Sequence, residues 1–104
     1  MTLMSIKQHD TLPALSITCT SQGSPVDLTA ASSVRIIGSM EGQQLFADST
    51  TGTDQGVVTR AWDAEDTDTA GVLLVEVEVT WPGGGIETFP PDGYLTVLIT
   101  PDLG

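Results

Sequence analysis

From Val72 to Trp81 the chain alternates: Val75, Val77, Val79 and Trp81 on one side, Leu74, Glu76, Glu78 and Thr80 on the other. A two-residue period is that of a pleated strand, whose successive side chains point to opposite faces. One apolar face and one polar face describe a sheet with a core on one side and water on the other. A helix would scatter those valines around its circumference. This run therefore commits the chain to β structure.

Shorter runs repeat the pattern. Leu15 to Thr20 alternates, with Leu15, Ile17 and Cys19 on one face, and Ser33 to Ser39 sets Val34 and Ile36 against Arg35 and Ile37. Gln43 to Ala47 reads as a short return strand after a turn at Glu41-Gly42. Gly56 to Trp62 alternates again but places Arg60 beside Val58 and Trp62, so the arginine must reach solvent or pair with an acid. Pro82-Gly83-Gly84-Gly85 bends the chain back into Ile86 to Phe89, and Pro90-Pro91-Asp92-Gly93 turns it into the last strand, Tyr94 to Thr100. Asp48 to Gly56 reads as a polar loop, and Asp63-Ala64-Glu65-Asp66 as one helical turn near 63–67 with Asp63 as its cap. About seven short strands punctuated every eight to twelve residues predict an antiparallel, immunoglobulin-like β-sandwich. The antibody Cys-Trp-Cys signature is absent, so strand count carries this expectation. The domain is expected over 14–100, after an extended arm at 1–13 and before a short tail at 101–104.

At 104 residues the chain fits one domain and buries enough surface to stand without staples. Cys19, the one cysteine, excludes an internal disulfide and sits on an apolar face, as a small buried hydrophobe would. Fourteen acids against Lys7, Arg35 and Arg60 give a net charge of −11. Nucleic acids and anionic membranes attract clustered Lys and Arg, so neither is an expected partner. The first ten residues carry no apolar core of signal-peptide length, and no segment approaches a membrane span. Synthesis in a cytoplasm is expected.

Residues for catalysis are scarce. His9 is the lone histidine and lies in the arm with no orienting partner in sequence, so no nucleophile–base pair is legible and no enzyme or cofactor is expected. Asp63, Glu65, Asp66 and Asp68 form the one carboxylate bunch that suits a hard cation such as calcium, but they lack the glycine and terminal glutamate of an EF-hand loop. A helix cap and a solvated surface account for them without an ion. Binding to another protein is the better use of the chain. Its candidate contacts are Lys7, His9 and Leu12 in the arm, together with Trp62 and Trp81 as aromatic anchors. A host-surface module that binds carbohydrate or calcium is the alternative.

Several segments together resemble small β-sandwich proteins of tailed-bacteriophage virions, similar to the N-terminal domain of the baseplate upper protein family. They are His9-Asp10-Thr11-Leu12-Pro13, Gly23-Ser24-Pro25-Val26-Asp27-Leu28-Thr29, Gly56-Val57-Val58 through to Trp62, Asp66-Thr67-Asp68-Thr69-Ala70-Gly71, Glu76-Val77-Glu78-Val79-Thr80 and Glu87-Thr88-Phe89-Pro90. The likeness runs from about residue 7 to residue 100. It implies a structural component of the neck, tail tip, baseplate or capsid surface, present in several copies beside other virion proteins. It brings no catalytic residues. No receptor-binding or coiled-coil region follows Thr100, which implies a stand-alone module in the virion.

Overall fold

The alternating run becomes the strand around which the rest is arranged. The computed structural model describes residues 2–103; Met1 and Gly104, the outermost residues of the expected arm and tail, lie outside the described residues. In chain order the strands are β1 (Thr2–Lys7), β2 (Leu15–Thr18), β3 (Thr20–Ser21), β4 (Ser24–Pro25), β5 (Ser33–Met40), β6 (Gln43–Thr50), β7 (Val57–Arg60), β8 (Gly71–Thr80), β9 (Ile86–Phe89) and β10 (Leu95–Thr100). A single 3-10 turn occupies Ala64–Thr67. The chain is all-β.

One large sheet runs β1-β10-β8-β5-β6, with β9 also paired to β8. The first half of β8 is opposite β10 (Val75 to Leu95) and its second half opposite β9 (Val77 to Phe89). The Pro90–Gly93 corner thus divides one edge of β8 between two short strands. Along its other edge β8 pairs with β5 from Ser39↔Leu74 to Ser33↔Thr80. Two smaller pairs, β2–β7 and β3–β4, complete the described strands.

The hairpins follow from local sequence. Met40 is opposite Gln43, leaving Glu41 and Gly42 as a two-residue loop with φ of 52° and 80°. Positive φ at both positions is the primed turn whose twist suits a tight hairpin. Gln22-Gly23 repeats this between β3 and β4.

The core lies between the large sheet and the β2–β7 pair. Leu73, Val75, Val77 and Val79 of β8 and Val97 of β10 are fully buried, and Leu15, Ile17 and Val58 of the β2–β7 pair join the same cluster. Each such side chain contributes roughly 1.5–3 kcal/mol relative to exposure. Cys19 belongs to this cluster as well.

Two expectations change. Residues 2–7 of the expected arm are a strand within the sheet, and β1 runs parallel to β10, so the pairing is not antiparallel throughout. The alternation of β1 is masked because a bulge interrupts its register between Thr2 and Met4 and Ile6 is its one buried residue. The strand β6 also extends to Thr50, three residues into the segment expected to be a loop, because Asp48, Ser49 and Thr50 pair with Ile36, Arg35 and Val34.

Candidate protein-contact surface

Among the described residues Arg60 is the charged side chain that is buried. Its side chain is 8% exposed, where an unpaired charge would be costly. Nε donates to Asp48 at 2.7 Å, and Nη1 donates to Asp66 at 2.9 Å and to the Ala61 carbonyl at 3.2 Å. Burial works against the charge, and the hydrogen bonds to Asp66 and Asp48 outweigh it, so the guanidinium is held above its usual pKa. Its plane also lies against the Phe46 ring. The strand that offers Arg60 thus receives both an acid and an aromatic partner.

Asp66 does two jobs. Besides Arg60, it accepts the backbone N–H of Asp63 at 2.8 Å, which fixes the start of the 3-10 turn. Asp68 instead faces His9, 3.9 Å away, while Asp63 and Glu65 are exposed. The calcium grouping considered for Asp63, Glu65, Asp66 and Asp68 is not assembled: among the described residues no three His, Cys, Asp or Glu side chains are placed to hold a metal ion.

The five expected contact residues scatter. Lys7 and Leu12 come together at one end of the sheet, around a cavity of about 290 Å³ that also takes in Ser5, Ile6, Asp10, Pro13 and Thr100. Leu12 is 77% exposed there. His9 stands at the same end, with φ of 69°, and its Nδ1 is 3.0 Å from Asp102. Trp62 is not available as an anchor. It is buried, its indole N–H donates to the Pro13 carbonyl at 3.0 Å, and its ring meets Phe46 edge-on at 6.2 Å. The cause is its place on the inward face two residues after Arg60. Trp81 is half-buried at the opposite end of β8, its N–H bonded to Glu87. About ten residues at 3.3 Å each separate it from the His9 end. No shared aromatic platform arises from these two indoles.

A patch that sequence reasoning passed over lies on the outer face of the large sheet, away from the core. Residues directly opposite in a sheet share a face. Leu74 is opposite Ser39 and Thr96, Val72 is opposite Leu98, and Ile37 lies between Ala47 and Glu76. Tyr94 adjoins Leu95, the partner of Val75, and is 55% exposed; Val72 is 49% exposed. Ile37, Leu74 and Tyr94 surround a shallow cavity of about 320 Å³ with Ser39, Gly42 and Glu76. Farther along the same face the charged pair Arg35–Glu78, at 3.0 Å, takes over. Half of the outer face is thus chiefly apolar in a strongly acidic chain. The signal was present in the "polar" side of β8, where Val72 and Leu74 break the polarity that Glu76 and Glu78 establish.

Among the described residues no helix is long and apolar enough to cross a membrane. Comparison with protein-family models, curated proteins and solved structures finds no match.

Proposed function

We propose that this chain is a structural component of a tailed-phage virion (neck, tail tip, baseplate or capsid surface), an immunoglobulin-like sandwich that works through protein–protein contacts in a symmetric assembly. The observation that carries the contact role is the apolar half-face on which Val72 and Tyr94 are exposed beside the half-buried Ile37, Leu74 and Leu98. The β2–β7 pair is the second layer of the sandwich, and it covers the inner face alone. Contiguous apolar surface of this kind marks association sites, and an exposed tyrosine with an apolar body and a polar tip suits one. The net charge of −11 supports solubility before assembly and a partner surface richer in Lys and Arg. The placement in a virion rests on the segmental resemblance to phage β-sandwich proteins.

The test is incorporation. Particles assembled with the wild-type chain should contain it in a fixed ratio to the major capsid or tail protein. The double substitution Leu74→Glu and Tyr94→Lys should leave the chain folded but missing from particles. Absence of the wild-type chain from purified particles would refute the virion role. Normal incorporation of the double variant would remove this face from the assembly.

A further inference from the structure

We infer that β6 and the cavity at its hairpin end form a second docking site, taking an extended basic segment of a partner protein as an added strand. This rests on the protein-contact reading above but concerns a different surface. β6 ends the path of the large sheet and pairs only with β5 within it, and β7 approaches it toward Thr50, whose Oγ1 donates to the Thr59 carbonyl. Alternate backbone N–H and C=O groups along it therefore point away from the sheet, which is the template for strand addition. Its sequence, Gln43 to Thr50, contains neither lysine nor proline, its one charged residue, Asp48, is bound to Arg60, and its bulge at Leu45 is confined to the hairpin end. β1, at the other end of the path, closes with Lys7.

The occupant's charge follows from what lies at the hairpin end. A register shift in the β5–β6 pairing leaves Leu45 without a partner, and Leu45 joins Met40, Glu41, Gln43, Glu65, Asp66 and Thr69 around a cavity of about 420 Å³. Asp66 is already bound to Arg60 and to the Asp63 N–H. The Glu41 and Glu65 carboxylates make no hydrogen bond or ion pair within the described residues, although the Glu65 backbone carbonyl accepts the Asp68 N–H. They come from distant parts of the chain, the hairpin turn and the 3-10 turn, and they border the same space. Met40 and Leu45 supply apolar surface beside them. A lysine or arginine side chain has that division, an aliphatic stem below a cationic head. The open backbone specifies a strand, and the unpaired carboxylates specify its charge. An acidic segment would meet Glu41, Glu65 and a chain of −11.

The probe is a blocked peptide, acetyl-Ser-Lys-Val-Thr-Val-Thr-Ser-amide, titrated to about 1 mM into the isotopically labelled full chain while backbone amide shifts are recorded. Shifts should concentrate in residues 40–50 and 65–69. Binding should weaken about tenfold or more when the peptide lysine becomes glutamate, when alternate peptide nitrogens are methylated, or when the protein carries Glu41→Gln and Glu65→Gln. Both glutamates are exposed, so that double variant should keep the wild-type melting temperature as its folding control. No shifts at 1 mM, equal binding of the glutamate peptide, or shifts centred on Ile37, Leu74 and Tyr94 would each overturn the inference. None of these results bears on particle incorporation, so this site and the virion role fail separately.

Discussion

The guanidinium carbon of Arg60 lies 3.7 Å from the centre of the Phe46 ring. The same side chain binds Asp66, whose side chain is 10% exposed. One cation thus sits between an aromatic face and an acid that water scarcely reaches. Replacing Arg60 with alanine removes the cation and strands that acid. The expected cost is about 3–5 kcal/mol, read as a loss of unfolding free energy in urea. Arg60→Lys should recover only part of it, because a single ammonium cannot serve Asp48 and Asp66 through separate nitrogens as the guanidinium does. Wild-type stability in the alanine variant would remove this cluster from the account of the fold.

Phe46 also limits its neighbour across the hairpin. A Cβ at Gly38, the residue opposite, would run into the Phe46 ring. Gly38→Ala should therefore destabilise by about 1–3 kcal/mol through overpacking. Phe46→Leu, costly alone, should cost less when Gly38→Ala is already present. A double-mutant cycle in urea measures that coupling, and strict additivity would contradict the contact.

At the other end of the molecule, His9 has a pKa raised above its ordinary 6.5, first by the hydrogen bond to Asp102, which outweighs the opposing loss of solvent, and then by the charges of Asp102, Asp68 and Asp10. A raised histidine pKa means that the protonated form favours the fold. Its contribution is complete below about 6.5 and fades as pH rises through the higher folded value. Titration by NMR should give a midpoint above 6.5 that falls in Asp102→Asn. Amide exchange at Asp102 and Leu103 should be least protected, beyond its intrinsic pH trend, on the alkaline side of that midpoint. An unshifted midpoint would show that the histidine does not hold the C-terminal segment.

Cys19 should be chemically silent. Burial, with the nearby charge of Glu87, pushes its thiol up to about 11. Thiolate is the reactive species, so the native chain should resist a disulfide reagent at pH 8 and react fully in urea. Rapid labelling without denaturant would mean that this part of the core opens readily.

How far the sequence reached can be judged residue by residue. The β8 alternation was legible because all its inward residues are aliphatic and fully buried, so the period appears in composition alone. The turns at Glu41-Gly42 and Pro82–Gly85 were legible because the backbone they require favours glycine. β1 was not. As an edge strand with a bulge, it buries one residue and shows no sustained period. Trp62 misled because a large aromatic near a turn suits a core and an interface equally until its indole N–H finds the Pro13 carbonyl. The apolar outer face escaped notice because Ile37, Leu74 and Leu98 lie on three different strands and become neighbours only through register.

The chain by itself settled its secondary-structure class, its hairpin positions and its acidity, since each follows from neighbours within a few residues. Tertiary structure alone decided that Thr2–Lys7 joins the sheet in parallel, that Arg60 meets Asp48 and Asp66, and that half of the outer face is apolar. Those outcomes depend on which distant segments are brought side by side. A periodic pattern says which way a side chain points and carries no information about what awaits it there.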